Sequence, residues 1–254
     1  MHLPNGAITP ECVVLTAGAA VASLGLASAS LRKSKPTRDK LLAAAGLGCL
    51  VFAAQMINVP VAPGISGHLV GGVLLASLLG PELGACTMAI VLAMQAIALG
   101  DGGIAALGAN VINMALLPAA MVAGAKRLAR TTEQSAIVGG LIAACAVPLA
   151  AGLIVVETAL FRAAAELTGW TSFTAAMLAT YGWIGVFEGV LTAGLVGAIV
   201  PLTARADGRL AWRFAVCGAV AALVLIALLP LSSSLPDGYE AAAMTSGLAW
   251  LLSP

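Results

Sequence analysis

Of the 254 residues, 61% are hydrophobic and 9% are charged, and the mean hydropathy is +1.04, whereas an ordinary soluble domain carries about 25% charged residues. So few charges cannot cover a water-soluble surface, and a net charge of +1 with twelve scattered Lys and Arg offers no basic face for nucleic acid. An all-α, polytopic transmembrane bundle is what remains, and 29 glycines suit helices that pack closely in lipid.

The chain opens Met1-His2-Leu3-Pro4-Asn5-Gly6, without the basic start and immediate apolar run of a signal peptide. The mature chain is therefore expected to begin at Met1, since a large second residue such as His2 hinders removal of the methionine. Pro4-Asn5-Gly6 reads as a turn able to fold the amino terminus back. Apolar segments follow at about 13–31, 41–59, 66–80, 83–99, 104–124, 136–159, 174–202 and 212–231, candidates for seven or eight spans of roughly 20 residues each. The third is short and starts on the polar Ser66-Gly67-His68; the seventh is long enough to tilt.

Arg32, Lys33, Lys35, Arg38 and Lys40 follow the first segment; Lys126, Arg127 and Arg130 follow the fifth; Arg205, Arg209 and Arg213 precede the eighth. If eight segments alternate, these all fall on one side, which the positive-inside rule makes cytoplasmic. Outside then lie the amino terminus, the 58–68 loop, the Asp101-Gly102-Gly103 turn, the 162–172 loop and the tail after Leu231. A soft boundary near 205 separates a bundle, 1–205, from a one-helix segment with an external tail, 206–254.

The five cysteines stand singly, with no C-x-x-C pair, and read as packing residues. No internal repeat stands out, and there is neither a G-x-x-x-x-G-K-[ST] phosphate loop nor a soluble segment large enough for a nucleotide domain. Uphill transport would need a partner's energy or a coupled ion.

Only two histidines occur, His2 and His68, and the expected topology puts both outside. A histidine in second position offers three nitrogens to one cation: the α-amine of Met1, the His2 peptide nitrogen and the His2 imidazole. His68 would complete a planar N4 set, which suits Ni(II) or Cu(II) and accepts Co(II), whereas structural Zn(II) prefers a tetrahedron. Within the apolar segments stand Gln55, Asn58, Gln95, Asn110, Asn113, Glu157 and Glu188, polar groups that face a bundle interior or a wet cavity. Asn58, Asn110 and Asn113 are candidates to orient the histidines from behind; Gln55, Gln95 and Glu157 read as helix-to-helix ties. Two other readings stay open. One is an ion-coupled metal permease using Glu157 or Glu188. The other is an intramembrane serine protease on Gly64-Ile65-Ser66-Gly67-His68, although Ser66 and His68 are two apart and do not face each other on a helix.

Met1-His2-Leu3-Pro4-Asn5-Gly6, Ser66-Gly67-His68-Leu69-Val70-Gly71-Gly72 and Gly100-Asp101-Gly102-Gly103 through Ala106-Leu107-Gly108-Ala109-Asn110 to Asn113-Met114 occur in the order found in one family. Over roughly 1–205 the chain resembles the CbiM/NikM substrate-binding (S) components of energy-coupling factor (ECF) transporters for cobalt and nickel. The resemblance implies Met1, His2 and His68 as metal ligands and Ni(II) or Co(II) as cargo, with no prosthetic group. It also implies a multi-pass protein of a bacterial or archaeal cytoplasmic (inner) membrane. A transmembrane coupling (T) protein, two ATPase subunits and a separate or fused N component are the implied partners. Leu235-Pro236-Asp237-Gly238-Tyr239-Glu240 is similar to the P-D-G-L-E segment of the N component, in shortened form. Asn5 stands where the family has Asp, and Tyr181 to Gly189 lacks a histidine found in relatives, leaving Glu188 a structural role. With no proposed ligand in the tail, loss of 232–254 is expected to spare metal binding.

Overall fold

Thr9 starts the first helix. Its side chain accepts from the Cys12 amide, Pro10 fills a position that needs no N–H, and Glu11 lies in the electropositive first turn, so α1 runs Pro10–Ser34. Lys35 closes it in a left-handed conformation (φ 46°), and Thr37 caps α2, Arg38–Gln55. The structure, a computed structural model, describes residues 1–252 apart from 126, 127, 130, 164, 165, 167 and 205–207; the side chains of 202–215, 217 and 219 are also outside the description. Lys126, Arg127, Arg130 and Arg205, the side chains of Arg209 and Arg213, and the boundary near 205 therefore lie outside the described residues.

After α2 the chain leaves helical form. Val59–Ala62 (β1) and Ile65–Gly67 (β2) make a short antiparallel hairpin around Pro63-Gly64. Helix resumes only at α3, Gly72–Leu79, about 12 Å long at 1.5 Å per residue, against roughly 30 Å of hydrocarbon. The third apolar segment is thus half a helix. Gly80, at φ 91°, breaks it, and Pro81 opens α4, Pro81–Met94, at the first helical position.

A wider π turn, Gln95–Leu99, extends α4 and ends at left-handed Gly100. α5, Leu107–Val111, a second π turn, Ile112–Leu116, and α6, Leu117–Ala125, form one continuous rod. α7 is Thr132–Ala159, capped by a reciprocal Thr131/Gln134 box, and α8 is Trp170–Ala204. α9, Gly208–Ala227, and α10, Gly238–Thr245, complete the helices described.

Among the described residues, five stretches are long and apolar enough to cross a membrane: Pro10–Ser34, Pro81–Leu99, Leu107–Ala125, Thr132–Ala159 and Trp170–Pro201. Small residues bring these rods together. A Cβ on Gly140 would stand 2.8 Å from the Gly189 carbonyl, drawing α7 onto α8, and one on Gly108 would stand 2.5 Å from the Ala17 nitrogen, drawing α5 onto α1. Val14, Val21 and Leu26 project from the outer side of α1, which suits lipid. The core reaches one end of the bundle through Met1 and Leu3, both buried.

Candidate metal centre

The amino-terminal arm is held along its backbone. Asn110 on α5 accepts from the Leu3 N–H at 2.8 Å and donates to the Leu3 carbonyl at 3.2 Å, while the Gly103 N–H donates to the same carbonyl at 2.8 Å. Arm and turn run so close that a Cβ on Gly103 would collide with the Asn5 nitrogen, and one on Gly102 would meet the His2 side chain at 3.3 Å. Gly102 and Gly103 leave room for the arm, whereas Gly100, at φ 68°, meets no neighbouring side chain and serves the turn. Gly6, at φ 81°, turns the chain toward α1, and the Ala105 N–H donates to Asn5 Oδ1 at 3.1 Å. That bond needs an acceptor oxygen and no charge, so Asn serves where the family has Asp.

His68 follows the hairpin on a loop fixed from both sides. Glu188 on α8 accepts from the Val70 and Gly71 N–H groups at 2.9 and 2.6 Å, and Gln55 at the end of α2 donates to the Val70 carbonyl at 2.7 Å. Each of these paired polar groups is buried, so removing one leaves a desolvated partner behind. His68 Nδ1 lies 2.9 Å from the Leu69 carbonyl. A carbonyl only accepts, so Nδ1 carries the proton and Nε2 keeps its lone pair.

That lone pair faces the chain terminus: the Met1 nitrogen is 3.2 Å from His68 Nε2. The rings of His2 and His68 stand parallel, with centroids 5.2 Å apart and a 10° angle between planes. Burial, the Met1 ammonium and the His2 charge push the His68 pKa down to about 3, which leaves a neutral ring of the kind a metal takes. His2 Nδ1 lies 3.3 Å from Asp101 Oδ1, and His2 Nε2 is buried without a hydrogen-bond partner. Burial pushes the Asp101 carboxyl up, but the His2 hydrogen bond, the His2 charge and the charged terminus outweigh it, holding the pKa at about 2. His2, His68, Asn58, Asp101 and Asp237 line one cavity of about 340 Å³.

Asp237, in the tail that the sequence reading set apart from the site, is the residue that sequence reasoning missed. Its Oδ2 stands 2.6 Å from the Met1 nitrogen. The tail that carries it is bound to the site's own loop: the Ser66 N–H donates to the Pro236 carbonyl at 2.9 Å, Ser66 Oγ donates to the Leu235 carbonyl at 2.7 Å, and the Ser233 N–H donates to the Asn58 carbonyl at 2.8 Å. The Asn58 N–H in turn donates to Ser232 Oγ at 2.8 Å. Burial raises the Asp237 carboxyl, and the adjacent ammonium outweighs that and lowers it. The local signal was Asp237 with Glu240, a capping box three residues apart; nothing local announced the contact with Met1.

Asn113 does not join Asn110. Its Nδ2 donates to Glu157 Oε2 on α7 at 2.7 Å, because the wider turn beginning at Ile112 carries it off the face that holds the arm. Asn58 borders the cavity and Asn110 grips the arm from behind. Ser66 points its hydroxyl at Leu235, with no histidine as its hydrogen-bond partner, so the serine and histidine of the G-x-S-G string form no nucleophile and base pair.

The family model described as the cobalt uptake substrate-specific transmembrane region matches residues 2–207. The chain belongs to the CbiM family. It is 36% identical over 214 residues to an Archaeoglobus fulgidus protein named for nickel transport as a fused NikMN, covering 82% of this chain and 67% of that one. It is 29% identical over 217 residues to the cobalt transport protein CbiM 2 of Pelobacter propionicus, covering 83% and 95%. The crystal structure of a truncated transition metal transporter superposes with a TM-score of 0.66 at 30% identity, covering 79% of this chain and 99% of that one. CbiM relatives are thus cobalt and nickel transport proteins, and this chain is a membrane protein of the same all-α type.

Proposed function

We propose that the chain is the metal-capturing S component of an ECF transporter, taking Ni(II) or Co(II) at the external face of the cytoplasmic membrane. The observation that carries the reading is the Met1 amine beside the His68 ring, which stacks on the His2 ring where both line one cavity. Two nitrogens each about 2 Å from one cation and at right angles to it would be about 2.8 Å apart; the Met1 nitrogen and His68 Nε2 are 3.2 Å apart. Amine, His2 peptide nitrogen and His2 Nδ1 close five- and six-membered rings on the same ion, and His68 Nε2 takes the fourth place. Closing the chelate draws Nδ1 away from Asp101. A planar nitrogen set favours Ni(II); selectivity against Cu(II), which binds such donors more tightly, rests on cavity shape and on which metal is available.

The chain contains no phosphate-binding loop, so inward delivery falls to a T protein and ATPase subunits docked beside it, with the tail serving in the place of the N component. The test is uptake of radioactive nickel by cells carrying this chain alone, with its T and ATPase partners, or with partners whose ATPase is inactivated. Uptake only in the second case is expected. Equal uptake by the chain alone would support the ion-coupled permease instead.

A further inference from the structure

The tail does more than bind the site's loop and line the cavity. Asp237 divides its two oxygens between two tasks: Oδ1 accepts from the Glu240 N–H at 2.9 Å as the N-cap of α10, and Oδ2 accepts from the Met1 amine at 2.6 Å. The Asp237 N–H returns to Glu240 Oε2 at 3.0 Å, so the cap fixes the carboxylate and the carboxylate fixes the amine. α10 is itself anchored. Tyr239 is buried edge-on against Phe173 of α8, with ring centroids 5.9 Å apart. Further along the tail, the Trp250 ring lies 4.4 Å under the Arg162 guanidinium, whose Nη2 also donates to the Ala7 carbonyl at 3.0 Å. Arm, α8 and tail are joined at three points around the terminus.

We propose that Asp237 is a positioning residue for metal capture, aiming the Met1 amine at the cation and remaining hydrogen-bonded to it once the cation is bound. The inference rests on the proposed amine site and extends it to a residue 236 positions away. A coordinated amine gives its lone pair to the metal but keeps two N–H groups, and the metal makes them stronger donors. A carboxylate accepting from one of them fixes the direction of the lone pair and offsets part of the dication's charge. Asp237 is thus compatible with the filled site and does not compete with the metal for the amine.

The substitutions that separate this role from capping keep the cap. Asp237→Asn retains an acceptor for the Glu240 N–H and turns its NH2 toward the amine, donor against donor. Asp237→Ser retains a good N-cap hydroxyl and leaves the amine without an acceptor. Both full-length variants are titrated with Ni(II), and dissociation is followed after addition of a chelator, beside Glu240→Ala, which removes the return bond of the capping box without touching Oδ2. Both Asp237 variants are expected to bind Ni(II) roughly 10- to 100-fold more weakly, the range seen when a residue behind a metal ligand is lost. The loss should lie in faster release, with the absorption band of the bound nickel unmoved because the four nitrogens are unchanged. Native affinity in both, or an equal loss in Glu240→Ala, would overturn the inference. A chain extended by one residue before Met1 is the control for the site beneath it. If that chain binds Ni(II) normally, the amine site falls and this role falls with it; if it does not bind while both Asp237 variants bind normally, only this role falls.

Discussion

Asn110→Ala removes the amide that holds the amino-terminal arm, and the structure sets the scale of the effect. Two bonds to Leu3 are lost. The Leu3 N–H is left buried with no acceptor, which costs about 1–3 kcal/mol, and the carbonyl, which keeps Gly103, loses an ordinary bond of about 0.5–1.5 kcal/mol. The docked arm is weakened by about 1.5–4.5 kcal/mol in total, and at about 1.4 kcal/mol per decade its docking equilibrium falls by about one to three powers of ten. Only the docked arm brings the Met1 amine to His68, so apparent nickel affinity falls by the fraction of arms that leave. Calorimetric titration of Asn110→Ala with Ni(II), beside a thermal melt of the metal-free protein, reads both quantities. A lower melting temperature with weakened binding is expected. Unchanged melting and unchanged affinity together would refute the grip that Asn110 exerts on Leu3.

Gly103→Ala places a Cβ where Asn5 already lies and should displace the arm, at about 1–3 kcal/mol for overpacking; normal nickel binding by this variant would show that the arm need not touch the turn. Glu188→Gln puts an NH2 against one of the two N–H groups it now accepts from, so the His68 loop should loosen and the melting temperature fall, measured by the same melt; an unchanged melt would contradict the anchoring role. Binding should strengthen from about pH 5 to 8 because the amine and the peptide nitrogen must release protons to the buffer. His68, with its pKa pushed down to about 3, is already neutral and adds none. Calorimetry in two buffers of different ionisation enthalpy counts those protons, and net proton uptake would contradict the chelate.

The rods were legible because lipid-spanning helices are long runs of one composition, and α1, α7 and α8 announce themselves that way. The hairpin at Val59–Gly67 was not legible, since two strands of four and three residues leave no alternating pattern. The half-length of α3 was written in Gly80-Pro81, a breaker followed by a helix start, which a count of apolar residues passes over. His2 and His68 could be paired from topology because no other histidine competes. Asp237 could not, because its partner is the amino terminus, 236 positions away, and no local pattern links the two. Asn113 was grouped with Asn58 and Asn110 as a polar residue in an apolar segment on the external side, and composition does not show the π turn at Ile112–Leu116, where Asn113 instead donates to Glu157.

The most direct measurement is the titration of two purified chains with Ni(II), each carrying its tag at the carboxyl end, one starting at Met1 and the other with a single glycine before it. Absorption spectra are recorded at each end point. The first chain should form a one-to-one complex with the band of planar, all-nitrogen nickel, and the second should form none. Equal binding by both, or a site that prefers Zn(II) in a tetrahedron, would contradict capture by the Met1 amine.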